Sequence, residues 1–392
     1  PRTIPDSGCG VQIEAAVPDV SAFVSANAGS GKTHVLAQRV INLLLRGCDP
    51  AKILCITFTK AAAANMANRV FGTLADWAVL DDAALDERIR LSTGKKPGPA
   101  ERARARRLFA SALETPGGLK VQTIHAFCTR LLHQFPFEAN VAARFSVLDD
   151  ATTTQLLDDL KLGVLMEAAA DRGSALGRAL AQAIVVSADQ TFKDVIDDAI
   201  GDRDTLQAWL TRAGGIDAAI ANLSNSLGVD PDDTAQSVED DFFAASLIPM
   251  QEWPLLIEVL ESGLATDKKH IAALQAARAA SGRERIDEYL KIFCTTELTP
   301  RKNIVTKTIA QNHPEWLARL QSEQGRVCRL LGREQAIATR ERTRALVTIA
   351  AEVIGRYRRE KDRRGLLDYD DLIDKTLDLF SRASAAWVLY KL

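Results

Sequence analysis

The chain has 392 residues, of which 47% are apolar, 26% are charged and 6% are aromatic. These values are ordinary for a globular protein, and the length is sufficient for two or three domains. The formal net charge of −2 excludes a histone-like polycation, although it leaves room for a local basic groove. No apolar run approaches the roughly 18 residues of a membrane-spanning helix.

The cysteines are widely spaced and form no C-x-x-C pair; they are Cys9, Cys48, Cys55, Cys128, Cys294 and Cys328. This spacing argues against a zinc site or a disulfide framework and predicts free thiols in a reducing, cytoplasmic compartment. Because the first residue is not Met, we expect the chain to be a fragment or a processed product.

Charge and patterning both change near residue 150. Residues 1–150 contain 18 Lys and Arg against 14 Asp and Glu, whereas the remainder contains 31 against 37. In the first part, apolar runs at 22–26 and 52–58 alternate with helical patterns, and a third run leads into a helix after Lys120. This order predicts a parallel sheet covered by helices.

Between residues 150 and 365, apolar residues recur at helical spacing, which predicts about ten helices. The acidic stretch 229–243 is rich in turn residues, and we predict a loop there.

Residues 26–33 read Ala-Asn-Ala-Gly-Ser-Gly-Lys-Thr and follow the P-loop pattern G-x-x-x-x-G-K-[ST], with Ala26 in place of the first glycine. Gly29 and Gly31 would let backbone N–H groups approach phosphate oxygens. Lys32 would neutralise the β- and γ-phosphates, and the Thr33 hydroxyl would bind Mg²⁺. The segment therefore predicts nucleotide binding, with an ordinary glycine-rich turn as the alternative.

Two further segments place polar and aromatic residues where a strand meets a helix. The first contains Thr57, Phe58, Thr59 and Lys60; the second contains Thr123, His125 and Phe127. Ligands of open α/β sheets gather at this edge, where hydroxyls and Lys can bind phosphates and an exposed Phe can stack on a base. The alternatives are a plain strand end with Phe58 buried and a structural, hydrogen-bonded His125.

Together, in this order, the motifs AxAGSGKT, TFTxxAAxxM and T-[IF]-H-x-F resemble motifs I, Ia and Ib of the UvrD/Rep group of superfamily 1 DNA helicases. The longer stretches VSANAGSGKT, ITFTKAAAANM and ETPGGLKVQTIHAFCTRLLHQFPFEA are most similar to the AddA helicase–nuclease subunits. The segment LLDYDDLI (366–373) is similar to the one by which those chains return from an inserted helical subdomain.

This resemblance implies an α/β fold: a P-loop NTPase with a RecA-like parallel sheet and a large, mostly helical inserted subdomain. Residues 1–148 would form the first part of the RecA-like ATP-binding domain and 149–350 the inserted subdomain. Residues 351–392 would return to the RecA-like domain and stop before the Walker B strand.

The resemblance also implies an ATP-dependent 3′→5′ DNA helicase that acts in double-strand-break repair, with an exonuclease in the parent protein. Its cofactors would be ATP and Mg²⁺, and its partners single-stranded and duplex DNA and an AddB-like subunit, with no membrane. The implied ATP and Mg²⁺ site is Ala26, Asn27, Ala28, Gly29, Ser30, Gly31, Lys32 and Thr33, the last two being catalytic and Thr33 the Mg²⁺ ligand. Gln12 would read the adenine, and the DNA would contact Thr57, Phe58, Thr59, Lys60, Thr123, His125 and Phe127.

The sequence departs from the family at two points. Asn65 replaces a usual Glu, and no strand ending in Asp-Glu supplies the acids for hydrolysis. The nearest segments, at 145–150, 255–261 and 365–371, do not fit that pattern. We therefore expect this chain alone to show neither ATP turnover nor unwinding.

Three alternatives stay open. They are a stand-alone UvrD/PcrA/Rep-type helicase without a nuclease, a P-loop kinase or other phosphotransferase, and a catalytically inactive nucleic-acid-binding module. The basic segments 101–109 and 354–365 could contact DNA phosphates, but a solvated helix face is the stronger interpretation.

Overall fold

The computed structural model describes residues 6–25, 27, 31–116, 118–186, 189–382 and 385–391. The chain divides into two compact units, one made of Pro1–Asp150 with Lys361–Leu392 and the other of Ala151–Glu360. The first unit contains small parallel sheets covered by helices, and the second consists of helices. The identity of the two units as motor domain and insertion stays a prediction from the resemblance.

The first 150 residues form six complete helices and three strands among the described residues. The helices are α1 Asp6–Ala15, α2 Lys32–Leu45, α3 Lys60–Val79, α4 Asp82–Thr93, α5 Pro99–Glu114 and α6 Ile124–Gln134. The strands are β1 Leu54–Thr57, β2 Lys120–Thr123 and β3 Ser146–Val147, and a short 3₁₀ turn at Pro50–Lys52 precedes β1.

Strands β1 and β2 pair in parallel, so that Leu54 lies opposite Lys120 and Thr57 opposite Thr123. The strands predicted near 52–58 and after residue 120 are thus confirmed. The strand predicted at 22–26 is wrong for the described residues 22–25, which make no strand pairing. Phe23 in this segment is 96% exposed. An apolar run becomes a strand only where a neighbouring backbone supplies hydrogen bonds, and the run itself does not specify that neighbour.

The helical unit contains eleven helices among the described residues, close to the predicted ten. They are α7 Asp150–Ala170, α8 Ala175–Val186, α9 Asp189–Gly201, α10 Arg203–Ala213, α11 Ile216–Leu227, α12 Ala235–Ala244, α13 Trp253–Glu261, α14 Ala265–Ala279, α15 Gly282–Phe293, α16 Lys307–Asn312 and α17 Pro314–Arg364. A 3₁₀ turn at Met250–Glu252 precedes α13. The largest fully buried side chains among the described residues of this unit are Trp253, Tyr289, Tyr357, Phe242 and Phe293.

The loop predicted at 229–243 is confirmed for residues 229–234, whereas α12 corrects the prediction from Ala235 onward. The Thr234 side chain accepts a hydrogen bond from Ser237 N at 3.1 Å, and Ser237 Oγ accepts one from Thr234 N at the same distance. Val238 and Phe242, four residues apart, are both buried on one face. The capping box and this apolar pair outweigh the acidic composition.

The last described segment returns the chain to the first unit through β4 Leu366–Leu367, α18 Tyr369–Ser381 and α19 Ala385–Lys391. Strand β4 pairs in parallel with β3, placing Leu366 opposite Ser146. Gly365, with φ +63°, makes the turn from α17 into β4. Helix α18 packs on α6, where Leu372 and Leu379 join a buried cluster with Leu132.

None of the described helices is both long and apolar enough to cross a bilayer. The five cysteines with described side chains are free thiols.

Candidate nucleotide site and DNA-facing edge

The end of the predicted phosphate loop lies at the start of α2. Gly31 has φ +94° and ψ 8°, a left-handed conformation that favours glycine, and it caps the helix that begins at Lys32. Lys32 and Thr33 are exposed in its first turn. Ala26, Ala28, Gly29 and Ser30 lie outside the described residues. The helix therefore presents its positive N-terminal end where the motif requires a phosphate.

The Lys32 ammonium contacts Asn27. Its Nζ donates a hydrogen bond to Asn27 O at 3.2 Å. The side chain of Lys32 is thus close to Asn27, another residue of the predicted phosphate loop.

Gln12, the residue predicted to read the adenine, lies beside Gly31. A Cβ atom placed on Gly31 would be 3.4 Å from Gln12 Nε2. The amide of α1 is thus brought to the N-terminus of α2, although the two positions are far apart along the chain. An amide can pair with two edge atoms of adenine at once. The arrangement fits a nucleotide held by its phosphates at α2 and read by Gln12 at its base.

A cavity of about 350 Å³ adjoins Gln12, between α1, α2, α3 and α4. It is lined by Gln12, Ile13, Ala16, His34, Val35, Gln38, Thr73, Asp76, Trp77, Arg88, Leu91 and Ser92. Partial burial, and after it the positive charge of Arg69, lowers the pKa of His34. Sequence reasoning missed all of these residues except Gln12. The one sequence signal that could have found any of the others is the position of His34 directly after Thr33, the last residue of the P-loop motif.

The carboxyl ends of β1 and β2 form the predicted DNA-facing edge. Thr57 and Thr123 are register partners there. Phe58 follows β1 and is 87% exposed, which excludes the alternative that it is a buried strand end. Lys60 is also exposed, as the first residue of α3.

The three threonines of this edge also have structural roles. Thr59 Oγ1 accepts a hydrogen bond from Ala62 N at 3.1 Å and caps α3. Thr123 is buried, and its Oγ1 accepts one from Ala126 N at 3.2 Å to cap α6. Thr57 Oγ1 donates to Thr59 O at 3.0 Å. Helix caps of this kind position the surrounding backbone whether or not a ligand is present.

The two aromatic residues after Thr123 differ in their surroundings. The ring of His125 stacks on that of Tyr369, with centroids 4.5 Å apart and planes inclined by 29°. Phe127 is half-buried and packs against the cluster around Cys128. The edge thus offers an exposed Phe58 and a braced His125, whereas Phe127 gives part of its surface to the core.

The basic segment on α5 is largely paired with acids of α4. Arg102 binds Asp86 through two hydrogen bonds of 2.7 Å, and Arg106 binds Asp82 at 2.7 Å. Arg104 donates to the backbone oxygen of Leu45 at 2.9 Å. These contacts favour the structural interpretation of this segment over DNA contact.

The basic segment at the end of α17 is paired in the same way. Arg356 contacts Glu167 at 2.6 Å and Glu352 at 2.8 Å. Lys361 Nζ lies 2.8 Å from Asp368 Oδ2 and also contacts Asp371. Burial raises the pKa of Asp371 despite the neighbouring ammonium. The acids of 365–371 therefore anchor the returning chain.

Comparison with known proteins decides the family. The sequence matches the UvrD/REP helicase N-terminal domain over residues 12–391. The chain belongs to this helicase family. The resemblance inferred from motifs I, Ia and Ib is thereby confirmed, and Asn65, which departs from the family pattern, is exposed on α3.

Curated relatives of this helicase domain carry the name of an ATP-dependent helicase/nuclease subunit, the AddA type. That of Lactobacillus johnsonii is 28% identical over 247 residues, covering 61% of this chain and 17% of the relative. That of Ligilactobacillus salivarius is 31% identical over 137 residues, which cover 35% of this chain and 10% of the relative. That of Lactobacillus helveticus is 32% identical over 182 residues, which cover 46% of this chain and 12% of the relative. The matched regions thus make up less than a fifth of each of these relatives.

Proposed function

We propose that this chain is the N-terminal ATP-binding part of an ATP-dependent DNA helicase of the AddA type. The observation that carries the proposal is the left-handed Gly31, followed at once by Lys32 and Thr33 at the start of α2 and flanked by Gln12. The RecA-like identity of the first unit and the inserted-subdomain identity of the second belong to the same proposal.

Each residue of the nucleotide site has a distinct task. The backbone N–H groups at the start of α2 and the Lys32 ammonium bind the phosphates. The Thr33 hydroxyl holds Mg²⁺, which neutralises phosphate charge. Gln12 reads the adenine edge. The predicted loop residues Ala26, Asn27, Ala28, Gly29 and Ser30 complete the phosphate cradle.

Single-stranded DNA follows the carboxyl ends of β1 and β2. Phe58 stacks on a base, because its ring is exposed and every base has a stacking face. Lys60 contributes a cation for the backbone phosphates, and His125 adds a second planar surface. Thr57, Thr59, Thr123 and Phe127 shape the same edge.

The whole protein would use ATP hydrolysis to move 3′→5′ along one strand in double-strand-break repair. The relatives' name designates one subunit of a helicase/nuclease, which supports an exonuclease in the parent protein and an AddB-like second subunit. It also favours this assignment over a stand-alone helicase. A cytoplasmic location accords with DNA repair and with the free cysteines.

Titration of Mg²⁺–ATP into the purified chain and its Lys32→Ala variant tests the proposal. Loss of a charge-assisted contact to phosphate is worth about 2 kcal/mol, so we expect affinity to fall roughly thirtyfold. Lys95→Ala removes an exposed lysine in the loop after α4 and serves as the control, with no expected change. Equal affinity of wild type and Lys32→Ala would contradict the proposal.

A further inference from the structure

Arg39, on α2, binds three backbone carbonyls, one at the last residue of α1 and two in the segment that follows it. Its Nη1 donates to Ala15 O at 3.1 Å and to Val17 O at 2.6 Å, and its Nη2 donates to Val20 O. The final carbonyls of a helix have no partner within the helix, and a guanidinium there also complements the helix dipole. Arg39 thus caps α1 from the neighbouring helix.

Asn42 lies one turn further along α2 and adds a second anchor. Its Nδ2 donates to Ala16 O at 3.1 Å and to Ser92 O at 3.2 Å, and its Oδ1 accepts from Ser92 Oγ at 2.8 Å. The Asn42 side chain is 4% exposed. It therefore ties both α1 and α4 to α2 in surroundings from which water is excluded.

These anchors control the face of α1 that carries Gln12. Ala16 directly follows the last residue of α1, and both Gln12 and Ala16 line the cavity beside Gly31. A helix of ten residues is too short to be stable alone in water, so its orientation depends on tertiary contacts.

We propose that Arg39 is a positioning residue for base recognition: by capping α1 it holds Gln12 beside Gly31. Asn42 supports the same arrangement. This inference rests on the proposed function and adds to it a determinant of the preference for a nucleotide over a bare polyphosphate. Arg39 itself does not line the cavity beside Gln12.

The experiment compares two ligands with Mg²⁺: ATP, which contacts both α2 and Gln12, and inorganic tripolyphosphate, which contacts only α2. Isothermal titration measures the Kd of each for the chain and for Arg39→Met, which keeps the aliphatic stem but loses the donors. We expect Arg39→Met to weaken ATP binding about tenfold and to leave tripolyphosphate binding unchanged, since only ATP offers an adenine edge to the Gln12 amide. Gln12→Ala should weaken ATP binding to the same extent. The double variant should lose no more affinity for ATP than either single variant.

Three comparisons decide the outcome. Arg106→Met, which removes an arginine paired with Asp82 on α4, should change neither Kd. Arg39→Lys retains the charge, and we expect it to fold and to show a preference for ATP over tripolyphosphate between those of wild type and Arg39→Met. If Arg39→Met does not fold, Arg39→Lys takes its place in the test. If the Arg39 variants kept the wild-type preference for ATP over tripolyphosphate, the inference would be overturned and the proposed function would stand. The same holds if Arg39→Lys lost equal affinity for both ligands. A wild-type chain that bound neither ligand would overturn the proposed function and the inference with it.

Discussion

The imidazole of His125 and the phenol of Tyr369 stack face to face, with ring centroids 4.5 Å apart. His125 lies in the first turn of α6, beside the end of β2, whereas Tyr369 opens α18, in the segment that follows the helical unit. The returning chain therefore braces a residue of the proposed DNA-facing edge.

Replacing Tyr369 by Ala should weaken single-stranded DNA binding about fivefold, because an aromatic pair contributes about 0.5–1.5 kcal/mol and His125 would lose its fixed orientation. Fluorescence anisotropy of a labelled oligo(dT), at one low salt concentration, measures this change. Tyr369→Phe keeps the stacking ring and should bind like wild type. Equal losses in the Ala and Phe variants would show that stacking is not what matters.

Replacing Phe58 by Ala should also weaken binding to the same oligonucleotide. One base stacked on an aromatic ring contributes about 1–3 kcal/mol, which corresponds to a loss of at least about fivefold. Because Phe58 is 87% exposed, its truncation should leave the thermal unfolding temperature nearly unchanged. Phe137, 88% exposed and away from the strand ends, is the matched control. A Phe58→Ala chain that binds as tightly as Phe137→Ala would remove Phe58 from the DNA path.

His270 should make the helical unit sensitive to mild acid. Burial lowers the pKa of His270, whose Nε2 lies 2.8 Å from Ile304 O. The unfolded chain takes up a proton near its ordinary pKa of about 6.5, whereas the folded chain resists protonation until a lower pH. The stability contributed by neutral His270 is therefore complete above about pH 6.5 and is lost as pH falls below it.

Urea unfolding of wild type and His270→Gln between pH 7 and pH 5 measures this effect. Gln can still donate a hydrogen bond to Ile304 O but does not titrate. We expect the wild-type free energy of unfolding to fall more steeply than that of the variant, with a difference in slope of up to about 1.4 kcal/mol per pH unit. If the free energy of unfolding fell with pH at the same slope in wild type and His270→Gln, His270 would not contribute to the acid sensitivity.

Glu323 should be among the most sensitive positions of the helical unit. It is fully buried, accepts hydrogen bonds from Tyr289 Oη and Leu247 N at 3.0 Å, and pairs with Arg326 at 2.7 Å. These contacts, above all the hydrogen bond from Arg326, oppose the penalty of burial and lower the pKa of Glu323. A charged partner left buried without its counter-ion costs about 3–5 kcal/mol.

Glu323→Gln should therefore lower the free energy of unfolding by roughly 3 kcal/mol. The intrinsic fluorescence of the five tryptophans reports unfolding, and it includes that of Trp253, which stacks on Tyr289 with ring centroids 5.4 Å apart. The exposed Glu258 on α13 supplies the control variant, Glu258→Gln, with a change near zero. If both variants unfolded at the wild-type urea concentration, the buried network would contribute little to stability.

Features that depend on short-range order could be predicted from the amino-acid sequence. These include the glycine and lysine of residues 31 and 32, the strand–helix order at 54–79 and 120–134, and the helical spacing beyond residue 150. Backbone torsions, caps and apolar periodicity are set by residues a few positions apart, so such features need no knowledge of the fold.

Only the tertiary structure showed which residues far apart in the sequence contact one another. Folding placed Gln12 beside Gly31, set Tyr369 against His125, left Phe58 exposed and used the arginines of α5 to bind α4. Among the described residues, it also left 22–25 without a strand partner, and it made a helix of 235–244. Burial and long-range pairing depend on surfaces contributed by the whole chain, and neither composition nor period specifies those partners.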